Sequence, residues 1–308
     1  MTGHLTENSL SEAGERYLPS DRLRLAVRVA QATERPLLLY GDPGSGKSSL
    51  ARYIAATGGY RYYEHVTTAR TQARDLLWSF DSVRRLGDAQ AHGGQRALPP
   101  DNDYVVPGVF WWAFDRTSAL EAQRAKEPVR DWNERHRDRP AVLLIDEIDK
   151  ADPDLPNGLL SPLADRRFTV SDVTGGLEVT EAQAARSVIV VTSNRERDLP
   201  PAFERRCVVH RLPGHEEDDL RRIVERHLDR DGLERAPAEL VDLLLDRLAA
   251  AKTTAKAKHR RAPSTAEFLD AVRACVRLPQ DVRDDFTGLI GMIFDKDPDR
   301  PAGAGGAR

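Results

Sequence analysis

Three short apolar runs interrupt an otherwise polar chain: LLLY at 37–40, VLLI at 142–145 and VIVV at 188–191. Each is too short for a buried helix and has no polar position, so each predicts a parallel strand covered on both faces. Residues 61–66 (RYYEHV) alternate instead, as a half-exposed strand does, and 208–212 (VVHRL) predict the last strand. Helical spacing lies between these runs, at 21–33, in the segment beginning SLARYIA at 49, and around 73–86. Strands alternating with helices predict an α/β fold, a parallel sheet flanked by helices.

The pattern changes after Pro213-Gly214, where residues 215–228, 238–251 and 265–277 all take helical apolar spacing. A short apolar segment at 286–294 predicts a final helix, and 295–308, ending PDRPAGAGGAR, reads as a disordered tail. The expected organisation is an α/β domain over 1–213, a small all-α domain over 214–294, and the tail. Turn residues crowd 92–103, with Gly93-Gly94 and Pro99-Pro100. Next comes VVPGVFWWAF at 105–114, holding two of the four tryptophans. Clustered aromatics of this kind belong first to a core or a subunit interface.

Composition narrows the class. The chain has 308 residues, 40% of them hydrophobic, and a mean hydropathy of -0.54. No apolar stretch approaches the ~20 residues needed to cross a bilayer. The start, MTGHLTENSLSEAGERY, is polar and acidic rather than a signal peptide, so a cytoplasmic location is expected. A net charge of -3 makes no electrostatic case for nucleic acid. The basic residues are 39 Arg and only 7 Lys. With abundant Ala, Gly and Pro, that skew points to a GC-rich, bacterial genome rather than to phosphate recognition. Cys207 and Cys275 suggest neither a disulfide framework nor a zinc site, and the eight histidines show no paired ligand spacing.

The chemistry sits directly behind the three runs. GDPGSGKS (41–48) follows the first, with glycines at 41, 44 and 46 that let a tight loop turn its N–H groups onto phosphate oxygens. Lys47 would reach the β- and γ-phosphates and the Ser48 hydroxyl would ligate Mg²⁺. The expected nucleotide-binding residues are Gly41, Asp42, Pro43, Gly44, Ser45, Gly46, Lys47, Ser48 and Ser49. DEID (146–149) follows the second run, where acidic side chains emerge at the ligand crevice of an open sheet. Asp146 would hold the magnesium ion, and Glu147 would orient and polarise the attacking water. Asn194 follows the third run in TSN (192–194). Such an Asn is commonly a turn residue, but its short amide can bond both the water and a γ-phosphate oxygen without adding charge.

From about residue 17 to about residue 278 the chain resembles the AAA+ ATPases, most of all the MoxR-like group. The cues are YLP (17–19), RPLLLYGDPGSGKS, LLIDEIDKA, RRFTVSDV, TSN and LPPAFERRC. The resemblance implies ATP as the nucleotide, with Mg²⁺, on a P-loop AAA+ core followed by a helical lid. It places Leu18 beside the adenine and starts a β-hairpin at Arg166. It also implies an arginine finger delivered in trans, with Arg206 preferred and Arg205 retained because Cys207 stands where relatives usually have Phe. A second sensor arginine is harder to place. Ser264 and Glu267 fit a capping box, no Arg lies in the first turn that follows, and Arg261 is a candidate within a basic run (252–261) that reads equally as a solvated loop. The group carries an insertion in its second helix, which would fall at about 92–115 and offers a pore-facing alternative for the aromatics.

The function implied is a ring-forming, hexameric ATPase that remodels or activates a partner protein, often one with a von Willebrand factor A domain. Other classes share parts of the pattern. A DNA-acting AAA+ motor or loader has the same motifs. A small-molecule kinase has the P-loop but no need of Glu147, Asn194 or Arg206. A non-hydrolysing nucleotide switch, as in a bacterial conflict system, would bind without turnover.

Overall fold

The computed structural model describes residues 7–92, 98–122, 126–173, 175–183, 186–231, 236–278, 288 and 290–295. Helices α1 (Glu7–Arg16) and α2 (Asp21–Thr33) lead into β1 (Leu37–Tyr40), followed by α3 (Lys47–Gly58) and β2 (Arg61–Val66). Then come α4 (Ala73–Leu77), β3 (Trp78–Phe80), α5 (Ser82–His92), β4 (Val105–Pro107), α6 (Val109–Phe114), α7 (Arg116–Glu121) and α8 (Arg130–Arg135). Strand β5 (Ala141–Asp146) precedes α9 (Leu155–Gly158), α10 (Leu160–Asp165), β6 (Arg167–Val170), β7 (Leu177–Thr180) and β8 (Val188–Ser193). After α11 (Pro201–Glu204) and β9 (Val208–Arg211) the chain is helical: α12 (Glu217–Asp231), α13 (Ala238–Ala257), α14 (Thr265–Arg277) and a π-helical turn, Gly291–Asp295.

Among the described residues the main sheet has five strands in the order β2-β5-β8-β1-β9, and every pair is parallel. Alternation along the strands divides the core in two. Leu38, Tyr40, Leu143, Ile145, Ile189 and Val191 face one side, against α6 and α9. Leu37, Leu39, Val142, Leu144, Val188 and Val190 face the other, against α1, α2 and α3. All three apolar runs are buried throughout, whereas the edge strand β9 alternates between half-buried and exposed positions. Register sets Tyr40 opposite Ser193 and Ile145 opposite Val191. The carboxyl ends of β1, β5 and β8, about 50 to 150 residues apart in sequence, therefore lie side by side.

One segment differs from the sequence expectation. The helix expected around 73–86 is broken: α4 ends at Leu77 and Trp78–Phe80 become β3, antiparallel to β4. Tertiary contacts override the helical spacing there. The Gly108 N–H donates to the Leu77 carbonyl, the Trp78 ring stacks on Phe168, and its Nε1–H donates to Asp172 at 2.7 Å. The aromatics at 109–114 do not project from the fold. They form α6, with Phe110, Trp111 and Trp112 only 0%, 2% and 3% exposed. Their burial favours the core reading of these aromatics over the pore-facing one. Residues 93–97 lie outside the described residues, as do 286, 287 and 289 of the segment expected as a final helix and the tail from 296 on.

A hairpin is present where Arg166 was expected to begin one: β6 pairs with β7 in antiparallel register. The chain divides into two compact units. One runs to Gly41 and resumes from Lys47 to Leu212; the other comprises Asp42–Gly46 and the chain from Pro213 onward. The second unit has its own core, in which Leu220, Val224, Leu244, Leu248, Phe268 and Val272 pack together from α12, α13 and α14.

Candidate nucleotide site

The loop between β1 and α3 turns through two glycines in the left-handed region, Gly44 at φ 78° and Gly46 at φ 89°, where a side chain would be strained. Lys47 opens α3 and is buried, 6% exposed. Its ammonium donates to the Gly41 carbonyl at 2.6 Å and to Asn194 Oδ1 at 2.7 Å. One residue on, the Ser48 hydroxyl donates to Asp146, 2.8 and 2.9 Å from its two carboxylate oxygens.

Glu147 leaves the end of β5 in a left-handed conformation, φ 59° and ψ 45°. A non-glycine residue is held there only when its surroundings over-determine it. Here Thr192 Oγ1 accepts the Glu147 N–H at 2.9 Å and donates to Asp146 at 2.5 Å, while Thr67 Oγ1 donates to the Glu147 carbonyl at 2.5 Å. The Glu147 side chain is thereby turned off the strand line. One carboxylate oxygen accepts Asn194 Nδ2 at 3.3 Å and the other accepts Lys150 Nζ at 3.0 Å. The bond to Glu147 raises the Lys150 pKa, which keeps the ammonium charged.

Asn194 is the junction of the cluster, accepting from Lys47 through its carbonyl and donating to Glu147 through its amide. Its backbone is held by Asp149, 3% exposed, whose Oδ2 accepts the N–H groups of Asn194 (3.0 Å) and Glu196 (2.9 Å). The structure thus joins Gly41, Lys47, Ser48, Asp146, Glu147 and Asn194 in one hydrogen-bonded cluster. Sequence reasoning missed Asp149, Thr192, Thr67 and Lys150. Three of these lie inside the quoted LLIDEIDKA and TSN segments, so proximity to the motifs was the only signal available.

Of the other expected residues, Asp42, Pro43 and Ser45 lie in the loop that carries the two glycines, and Ser49 follows Ser48 in α3. Arg206 and Arg205 are exposed on the turn between α11 and β9. They line a cavity of about 560 Å³ that also includes Arg35, Arg166 and Arg186. Cys207 follows them, buried, with its thiol pushed up to about 12 by that burial. Leu18 is 36% exposed in the connector between α1 and α2. Arg261, in the second unit, is exposed on the connector between α13 and α14, beside the capping box in which Ser264 and Glu267 bond one another.

Residues 36–207 match the family model for the AAA domain (dynein-related subfamily). The chain belongs to this family. As an AAA domain protein it is an ATPase on a P-loop α/β core, and its matched region runs from the start of β1 to the turn after α11. Lon protease from Syntrophus aciditrophicus (strain SB) is 28% identical over 211 residues, 66% of this chain and 22% of the relative. Lon protease from Escherichia coli (strain K12) is 28% identical over 229 residues, 73% of this chain and 24% of the relative. The AAA domain protein thus spans about a quarter or less of the length of the curated relatives it matches. Among solved structures it is similar to the Thermotoga maritima RuvB Holliday junction branch migration motor, at 17% identity and TM-score 0.39, covering 88% of this chain and 74% of that one. No helix among the described residues is long and apolar enough to cross a membrane.

Proposed function

We propose that this AAA domain protein hydrolyses ATP at the Lys47–Asn194–Glu147 cluster and works as a MoxR-like ring, a hexamer whose subunits complete one another's sites and remodel a partner protein. The observation that carries the chemistry is the Asn194 carboxamide bridging Lys47 and Glu147. A phosphate-binding cation, a neutral sensor and a carboxylate base are thereby linked at the crevice of a parallel sheet.

In this reading Lys47 holds the β- and γ-phosphates and Asn194 orients the attacking water. Glu147 accepts a proton as the water oxygen bonds to the γ-phosphorus and the bond to the ADP oxygen breaks. Ser48 and Asp146 suit magnesium, because a hydroxyl and a carboxylate in mutual contact are the hard oxygen donors that ion prefers. Bound there, magnesium would supply charge neutralisation for the nucleotide's phosphates. Arg206, or Arg205 beside it, would stabilise the transferring phosphoryl group of a neighbouring subunit. The MoxR-like assignment is supported by the RRFTVSDV and LPPAFERRC segments. A partner with a von Willebrand factor A domain follows from that assignment alone.

Paired variants test the site. Lys47→Ala should abolish ATP binding, whereas Glu147→Gln should keep binding and lower turnover by about 10²-fold or more, within the usual range for a general base. Turnover retained in Glu147→Gln would exclude the role given to that carboxylate.

A further inference from the structure

We propose that Arg35, assisted by the Tyr40–Glu204 pair, is a positioning residue for the arginines at 205 and 206, holding in place the guanidinium that completes a neighbouring subunit's site. This rests on the shared-site reading above.

Arg205 and Arg206 follow α11, which is a single four-residue turn. So short a helix has little rigidity of its own; Phe203 anchors it in the core and the Arg206 guanidinium donates to the Ala202 carbonyl at 3.4 Å, which leaves the backbone of the turn beyond it to be held by a separate constraint. Arg35, two residues before β1, supplies the constraint. Its Nε donates to the Arg206 carbonyl at 3.1 Å and its Nη2 donates to the Arg205 carbonyl. One planar fork thus holds two successive peptide units, a geometry that a lysine ammonium cannot reproduce. Because both carbonyls are held, the proposal does not depend on which of the two arginines is the finger.

A second tether fixes the helix end. Glu204, immediately before Arg205, accepts a hydrogen bond from the Tyr40 hydroxyl. Tyr40 ends β1, is 4% exposed, and sits one residue before Gly41. The guanidinium of Arg195, the residue after Asn194, lies over its ring, 4.4 Å from the centroid. The turn carrying the arginines is therefore tied at two points, to the connector before β1 and to the end of β1 beside the Asn194 loop. The cavity it borders is lined by five arginines, of which Arg166 and Arg186 already pair with Glu181 or Glu34 and Arg35 holds the two carbonyls. Arg205 and Arg206, both exposed, are the guanidinium groups there outside these ion pairs that could meet the phosphates of a nucleotide presented by a second copy of this chain.

The test is complementation between defective subunits. Arg35→Ala and Arg35→Lys should each lower kcat by about 10–100-fold, as a small misplacement of a catalytic group does, while ATP affinity stays within about 2-fold; Tyr40→Phe should fall in the same direction by less. Each is then mixed with excess Lys47→Ala or Glu147→Gln chains, which keep an intact arginine turn and whose own residual turnover, measured alone, is subtracted. Turnover per Arg35-variant subunit should recover, because its own site is whole and now receives a well-placed guanidinium. An Arg205→Ala/Arg206→Ala chain mixed in the same way is the reference. Recovery of the reference without recovery of either Arg35 variant would overturn the role of Arg35. Failure of the reference with both donors would instead overturn the shared site, and this proposal with it. Arg35→Lys preserves charge and bulk, so the test survives even if Arg35→Ala folds poorly.

Discussion

Asp149 carries two backbone donors on one carboxylate oxygen and does no chemistry itself. Replacing it with alanine leaves the N–H groups of half-buried Asn194 and exposed Glu196 without that acceptor; water can take its place there, so the stability loss should stay near or below about 1 kcal/mol. Asn194 would then lose its fixed backbone, and the bridge from Lys47 to Glu147 would loosen. Asp149→Ala should lower kcat by about 10-fold with ATP affinity changed less, as follows when a positioned group drifts; turnover, nucleotide titration and denaturant melts on one preparation would check all three effects. Unchanged kcat would mean that Asn194 is held by other contacts. Asp146, Glu147 and Asn194 were legible because each lies within three residues after an apolar run, whereas Asp149 acquires its role only from residues about 45 positions away.

At the scale of elements, local signals were the most legible. The capping box of Ser264 and Glu267 starts α14 as its spacing predicts, since both partners lie within one turn. The break at Trp78 was not legible, because β3 exists only through pairing with β4, across the intervening α5. In the helical unit His215 bonds the Thr265 hydroxyl at 2.9 Å, and burial lowers its pKa below the ordinary imidazole value. The folded state therefore takes up this proton at lower pH than the unfolded chain does. The stability tied to neutral His215 is complete above the unfolded value of about 6.5 and is lost as pH falls through that value toward the folded one. His65 and His210 are also lowered by burial and add to the same slope. Denaturation midpoints should fall from pH 7.5 to pH 5, and less steeply in His215→Gln; an identical slope in that variant would remove His215 from the account.

For the whole molecule, the sheet order is what makes a site. Setting β8 between β5 and β1 brings Asn194 between Lys47 and Glu147, while the arginine turn after α11 borders a separate, arginine-lined cavity. On the proposed reading, in which a neighbouring subunit supplies the arginine, the site depends on assembly. ATP turnover per subunit should climb with protein concentration and then level off once rings are complete. Turnover independent of concentration across a dilution series in which sedimentation shows the assembly dissociating would argue for a site complete in each chain.

The sequence by itself determined the phosphate loop, the acidic strand end, the amide after the third run and the helical region after Pro213. Each of these is written in residues that are contiguous or one turn apart. Tertiary structure alone decided which strands are neighbours, and so which side chains meet. A run buried on both faces has no period to say what covers it, and parallel strands joined by long crossovers leave no local trace of their order. The αL turn at Glu147, the Asp149 anchor and the Arg35 clamp all depend on groups brought together across that order, and none could be read before it was known.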